Sequence, residues 1–438
     1  MKFPKKKSMT IPTERSARRR FLAGAATAAA IPLFSTAPLS GMIPQDGDTG
    51  ENSNRARSWF RATVDLFLHS NDAPPLRALS AALVTPSWIA TAHFGKTDPE
   101  NDSGPPDDRT AYEIASLSKT FTGILLAEAI RRNELQPDAT LGELFPLPTV
   151  ESASSDESVP PDGPGTFPAA GVTLRQLATH TSGLSRLPGN FIPLMNRTPS
   201  DPYSEYDRTL LYKAIHTEVP RVLDENASPE YVYSNFGYAI LTEVVTRAAA
   251  GTSGTPAIPP GDPDDYARLL HERLTGPLGM DGTWVQDERT PTTPDGVVKQ
   301  TPEDANISGY ATPHNTLGQR SQNWRFRCFQ GGGGIVSTLA DMTRYLRAML
   351  HPEETPLQES ITAAQKINTQ VNENLSLALG WHIAKDGTFF HDGETGGYHS
   401  YLAFHPQLQS GVVLLASCAD GRVNRLGSLL MRAVTDFS

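Results

Sequence analysis

The chain has 438 residues, 38% hydrophobic and 8% aromatic, with 36 prolines and 35 glycines. That is ample material for a buried core and too much for a disordered or low-complexity chain, and it suits two domains or one large two-lobed unit rich in loops. A formal net charge of −10 argues against a nucleic-acid-binding surface over the bulk of the chain.

Basic charge is confined to one end. The first twenty residues hold eight Lys or Arg against one Glu, a balance of +7, which leaves 30 basic against 47 acidic residues, or −17, for the rest. A nucleic-acid arm is the plain reading of such a cluster. The adjoining segment is apolar, however: Arg18-Arg19-Arg20-Phe21-Leu22 leads into Ala23-Gly24-Ala25-Ala26-Thr27-Ala28-Ala29-Ala30-Ile31 and Pro32. Residues 1–44 resemble a twin-arginine export signal, which implies a periplasmic or extracellular protein cleaved between Ala37 and Gln45. The apolar segment is too short and alanine-rich to remain as a spanning helix, and no later stretch approaches about twenty consecutive apolar residues, so no stable membrane span is expected in the mature chain. Cys328 and Cys418 are the two cysteines; export permits a disulfide, and two free, largely buried thiols are the plainer alternative.

After a polar, acidic linker at 45–54, the spacing of Trp59, Val64, Phe67 and Leu68 predicts a helix over 55–69. Segments 79–85 and 89–94 read as strands joined at Pro86-Ser87, and the turn-rich loop 98–109 leads to a strongly apolar helix beginning near Ser116. From 120 to 325 helical patterns alternate with long loops, of which 152–170, 251–263 and 287–304 read as surface excursions. A helix is predicted over 335–351, strands at 377–383, 388–391, 401–404 and 412–416, and a last helix over 424–435. Strands at both ends with a helical middle predict an α+β fold. One antiparallel sheet is built from the N- and C-terminal strands and flanked by helices (55–115 with 335–435), and a mainly helical lobe (116–334) is inserted into it.

Ser116 and Lys119 stand three residues apart at the front of the apolar helix, so they share a face and the amine can reach the hydroxyl. An amine kept neutral by burial can take the serine proton and make it a nucleophile. A chain of this size contains about one Ser-x-x-Lys by chance, so the pair needs context. Tyr233-Ser234-Asn235 lies just before a helix over 236–250. A tyrosine near Lys119 and a positive helix terminus would lose its proton more readily and could act as acid or base, while Asn235 offers a donor and an acceptor to an amide or ester. His391-Asp392-Gly393, followed by Glu394, closes a late strand beside glycines, where backbone N–H groups are free to hold an oxyanion.

Taken in order, these three motifs resemble the serine β-lactamase and penicillin-binding superfamily, in its class C β-lactamase, DD-peptidase and family VIII carboxylesterase branch. Further matching stretches are Leu177-Ala178-Thr179-His180-Thr181-Ser182-Gly183-Leu184, Gly276-Pro277-Leu278-Gly279-Met280, and Gly332 to Thr338 leading to Asp341-Met342; the likeness spans about residues 55–435. The resemblance implies a β-lactamase/transpeptidase-like fold and acyl transfer without metal or cofactor on a small-molecule or peptidoglycan-peptide substrate. It casts Ser116 as the acylated nucleophile, Lys119 as its base, Tyr233 as the second acid-base group and Asn235 as a substrate-amide contact. The backbone N–H groups of Ser116 and Glu394 become the oxyanion hole. His391, with Gly393 beside it on the substrate-binding strand, occupies the place of a lysine found in many β-lactamases. A histidine of ordinary pKa, about 6.5, is only partly charged there, so recognition of a substrate carboxylate is expected to be weaker and pH dependent.

Plainer readings attach to the remaining candidates. His391, His399 and His405 lack metal-ligand spacing, Gly331 to Gly334 lack the Lys-Ser/Thr of a phosphate loop and read as a tight return into the sheet, and His180 reads as a structural residue below the cleft. Trp59, Trp88 and Trp381 read as core. The leading expectation is a class C-like hydrolase of β-lactam rings or D-alanyl peptide bonds. A carboxylesterase using the same residues and a non-catalytic penicillin-binding or ligand-sensing protein are the alternatives.

Overall fold

The computed structural model describes residues 51–69, 77–145, 167–221, 230–251, 264–286 and 307–436. Residues 1–44, expected to be an export signal, lie outside them, as do most of the three expected surface excursions. Twelve described strands form two sheets: β1 (Ala78–Val84), β2 (Ile89–Gly95), β3 (Thr110–Glu113), β4 (Trp284–Val285), β5 (Gly309–Tyr310), β6 (Ile335–Thr338), β7 (Thr369–Asn372), β8 (Leu375–Ala378), β9 (Trp381–Ala384), β10 (Phe389–Glu394), β11 (His399–His405) and β12 (Ser410–Ala416). The larger sheet runs β2-β1-β12-β11-β10-β9-β8-β7 with every neighbour antiparallel, so the N-terminal hairpin completes a sheet begun at the C-terminus. The smaller runs β4-β6-β3-β5.

The central strands read as continuous apolar runs because both faces of the sheet are covered. Leu79, Ala81 and Leu83 of β1, Tyr401 and Ala403 of β11, and Val412, Leu414 and Ala416 of β12 face one core. Their alternates Ala78, Ala82, Val84, Leu402, Phe404, Val413 and Leu415 face the other. The first core is closed by α1 (Glu51–His69) through Ala56, Phe60 and Val64, four residues apart on one stripe, and by the last helix (Arg422–Asp436) through Val423, Leu426 and Leu430. Against the second face packs α4 (Leu339–Leu350), and in the same apolar cluster α2 (Ser118–Arg131) and α3 (Asn235–Ala249) pack on each other. This is the α+β arrangement expected, an antiparallel sheet between helical layers.

Three local readings differ. The predicted 335–351 helix begins with strand β6, because Val336-Ser337-Thr338 is a β-favouring run, and Thr338 then caps α4 by accepting from Asp341 N at 3.2 Å. The predicted strand 377–383 is a hairpin, β8 and β9, folded at Gly380 with φ +80°. Strand β3, which follows the loop expected at 98–109 and has no predicted element of its own, pairs with β6 and β5 and delivers the chain to Ser116. Cys328 and Cys418 are both free thiols.

Candidate active site

Every residue from Thr110 to Ala129 is buried except Ser116. The turn that exposes it is strained: Ala115, immediately before, has φ +48°, which costs a non-glycine residue about 1–3 kcal/mol and persists only where neighbours impose it. They do so here through Ile114, whose N–H donates to Ile335 O (3.0 Å) and whose carbonyl accepts from Ser400 Oγ (2.7 Å) and Leu117 N (3.1 Å).

Lys119, the second residue of the buried helix α2, is fully enclosed. Its Nζ lies 3.0 Å from Ser116 Oγ and donates to Gly332 O at 2.5 Å. Burial first, then the positive charge of Arg186, holds the amine well below the usual lysine range, with Asp392 pulling weakly the other way. A neutral amine that donates to Gly332 keeps its lone pair for the serine proton.

Tyr233 stands just before α3. Ser234 caps that helix by accepting from Gly237 N (2.9 Å) and is itself fixed by donating its N–H to His180 Nδ1 (3.0 Å) and its hydroxyl to Ser185 O (2.8 Å). The phenol faces Ser116, and its ring lies 4.4 Å from His180 and 5.0 Å from Lys119 Nζ. The expectation of an easily ionised tyrosine is not met. Burial raises the phenol well above its ordinary value, more than Ser116 and Arg186 lower it. Tyr233 is therefore a proton donor at neutral pH. Asn235 donates from Nδ2 to Tyr203 OH (3.2 Å), which leaves its buried Oδ1 without a partner among the described residues.

On the third side, β10 pairs with β9 only at Phe389 and Phe390; from His391 to Glu394 that edge packs on the Ser116 turn instead. Gly393 makes the approach feasible, since a Cβ there would stand 2.3 Å from Ile114 O and 2.7 Å from Ser116 N. Glu394, opposite His399 of β11, ends the run with its side chain exposed. His391 is 1% exposed, with its ring 6.2 Å from that of Tyr233. Its Nδ1 contacts Asp392 O at 2.6 Å; a carbonyl only accepts, so Nδ1 carries the proton and the unpartnered, buried Nε2 is a bare acceptor. Burial, aided by His382, pushes the ring down to about 3 despite Asp392. His391 is thus neutral across ordinary pH, which replaces the expected partial charge.

The structure brings Ser116, Lys119, Tyr233, Asn235, His391, Gly393 and Glu394 around one cleft. Residues 77–434 match the family described as Beta-lactamase. The chain belongs to the β-lactamase family. A β-lactamase of Escherichia coli K12 is 23% identical over 353 residues, 72% of this chain and 77% of that one. The D-alanyl-D-alanine-carboxypeptidase/endopeptidase AmpH of the same organism is 25% identical over 344 residues, 74% and 75% of the two chains. A crystal structure of a β-lactamase/D-alanine carboxypeptidase from Pseudomonas syringae superposes with a TM-score of 0.62 at 17% identity, covering 87% of this chain and 98% of that one, a likeness of fold. These relatives support a serine hydrolase of the β-lactamase and penicillin-binding superfamily.

Sequence reasoning missed two residues that touch the site, Gly332 and Arg186, and one buried carboxyl of the smaller sheet, Glu113. Gly332, inside a glycine run read as a return into the sheet, offers its carbonyl to Lys119. Glu113, at the end of β3, is a buried carboxyl whose Oε1 accepts from Asn323 Nδ2 and Trp324 N, both at 2.9 Å, while its Oε2 has no hydrogen-bond partner among the described residues. Arg186 stacks on Tyr233 with its guanidinium 5.2 Å from the ring centroid. A carbonyl contact from Gly332 and a lone arginine leave no periodicity to read. Among the described residues no helix is long and apolar enough to cross a membrane, and no three His, Cys, Asp or Glu are grouped to hold a metal.

Proposed function

We propose that the chain is an exported serine hydrolase that works through an acyl-enzyme on Ser116, opening β-lactam rings or cleaving D-alanyl peptide amides in the manner of class C β-lactamases. Residues 1–44 would direct export to the periplasm or beyond, and 55–435 would form the hydrolase domain. The observation that carries the reading is the 3.0 Å contact between the one accessible residue of a buried stretch and a buried, neutral amine.

In this mechanism the Ser116 proton passes to Lys119 Nζ as Oγ bonds to the substrate carbonyl carbon. The oxyanion is held by the N–H groups of Ser116 and Glu394, brought together by the close approach of Gly393. Collapse breaks the bond to the leaving atom, which takes the Tyr233 proton, and the Lys119 ammonium returns a proton to Tyr233. Water then attacks the acyl carbon, giving its proton to the same base, which passes it to Ser116 Oγ as the acyl–Oγ bond breaks and the carboxylic acid product leaves. Asn235 Oδ1 would accept from a substrate N–H.

His391 favours a second reading. A neutral ring with a bare Nε2 offers a carboxylate no donor, which suits a carboxylesterase on short-chain esters with the same catalytic residues. Purified mature protein assayed in parallel on nitrocefin, a p-nitrophenyl butyrate ester and a D-Ala-D-Ala peptide ranks the readings. Fluorophosphonate labelling that fails in the folded protein, or turnover that survives Ser116→Ala, removes both of them in favour of a ligand-sensing protein.

A further inference from the structure

His180, read from the sequence as a structural residue, is tied to Tyr233 in a more specific way. It follows the short helix Leu174–Ala178 in a left-handed turn, φ +56°, a conformation uncommon outside glycine and asparagine. The turn aims two acceptors of one residue at the segment that carries the tyrosine. The His180 carbonyl accepts from Val232 N at 2.8 Å, and its side-chain Nδ1 accepts from Ser234 N at 3.0 Å. The N–H groups of the residues on either side of Tyr233 are thus held by a single residue. The imidazole also packs on the Tyr233 ring, with centroids 4.4 Å apart and planes 32° from parallel.

A backbone N–H only donates, so Nδ1 is the bare nitrogen and Nε2 carries the proton. Burial holds the ring well below the usual histidine range, which keeps that acceptor available at neutral pH. His180 is 3% exposed, and its Nε2 has no partner among the described residues. A residue needed only to fill this space would be better served by an apolar ring, which buries no unpaired N–H. What the histidine adds is an acceptor at the δ1 position, beside Tyr233.

We infer that His180 is the positioning residue of Tyr233: it fixes the phenol where it can hand a proton to the leaving atom, and so governs which leaving groups can be expelled. The inference rests on the acyl-enzyme reading, with Tyr233 as the proton donor. An ester of 4-nitrophenol breaks down without a proton, because the phenolate is stable in water, whereas an ethoxide departs only as it is protonated. A displaced phenol therefore costs the ethyl ester its acylation and spares the nitrophenyl ester.

The test compares the ethyl and 4-nitrophenyl esters of one acyl group that the protein accepts, in the wild type, His180→Phe and His180→Asn. Both esters pass through the same acyl-enzyme, so kcat/KM compares their acylation steps, and the ratio of the two values does not depend on the fraction folded. In His180→Phe, which keeps a ring without the acceptor, the ethyl-to-nitrophenyl ratio should fall about 100-fold. His180→Asn puts Oδ1 where Nδ1 stood and suits the left-handed turn, so it should restore most of the ratio. Should His180→Phe fail to fold, His180→Gln, whose amide stands at the ε position and leaves δ1 without an acceptor, is read in its place. An unchanged ratio in the variant without the acceptor, or a ratio in His180→Asn no better than that variant's, overturns the inference. Tyr233→Phe in the same assay keeps the two levels apart, since it should itself lower the ratio. If it does not, or if a fluorophosphonate fails to label Ser116 in the wild type, the acyl-enzyme reading falls and the role of His180 with it. A lowered ratio in Tyr233→Phe beside an unchanged one in His180→Phe rejects the role of His180 alone.

Discussion

A serine hydroxyl gives up its proton only to a base that is itself unprotonated, and a lysine in water fails that condition at neutral pH. Enclosure of Lys119 removes the obstacle, since the ammonium loses its hydration and faces Arg186, while the neutral amine still finds Gly332 O. Lys119→Ala should therefore lower kcat by about 10²–10⁴ with Ser116→Ala as the floor, read from steady-state rates on the best substrate. Near-normal kcat would remove Lys119 as the base. The same group sets the sign of the pH dependence. The amine must be neutral, so the rate is full above its depressed pKa and is lost as pH falls through it. His391 adds no limb between pH 5 and 8, being neutral down to about 3. A kcat/KM profile of His391→Asn should keep the acid limb of the wild type in place; a limb that disappears in that variant would belong to the histidine.

At the level of elements, the cleft depends on how closely β10 and the β8–β9 turn approach the start of α2. Two glycines set those distances. A Cβ on Gly380 would meet Lys119 O at 2.5 Å, and one on Gly393 would meet Ile114 O at 2.3 Å; both obstacles are backbone and cannot rotate away. Gly393→Ala should push β10 off the Ser116 turn, and displacements near 1 Å at such a site cost about 100-fold in kcat/KM. Kinetics alongside a thermal melt check this: the expected result is a catalytic loss larger than the melt explains, and wild-type kcat/KM would show that the strand tolerates the methyl group. The sequence displayed α2 and α3 clearly, because long apolar helices announce themselves by composition and by caps such as Ser234. It did not display the β8–β9 turn, because Gly380 between apolar residues reads equally well as part of a strand. That Ser116, Lys119 and Tyr233 come together was legible from residue types in chain order. The charge states of Tyr233 and His391 were not, since they depend on burial by residues far away in the chain.

For the whole molecule, the main sheet was foreseeable from strands at both termini, while the second sheet was not. Its strands β4 and β5 have two residues each and β3 four, too few for any period to register. Glu113 joins that small sheet to the rest: at the end of β3 it accepts from Asn323 and Trp324, and Asn323 also donates to the Tyr398 hydroxyl between β10 and β11. Burial outweighs those bonds and lifts its carboxyl from the ordinary 4.5 to about 7. The folded protein thus holds this proton more tightly than the unfolded chain does. The associated stabilisation is fully present below about pH 4.5 and is lost as pH rises through about 7. A shift of that size corresponds to about 3 kcal/mol between the two limits. Glu113→Gln keeps an acceptor for Asn323 and Trp324 and replaces the acid hydroxyl with an amide donor, but cannot ionise. Urea unfolding of both proteins at pH 5 and pH 8.5 should show the wild type losing about 3 kcal/mol more than the variant over that interval. Parallel losses in the two proteins would mean that Glu113 is ionised on both sides of folding, and that the junction between the sheets is held by a carboxylate.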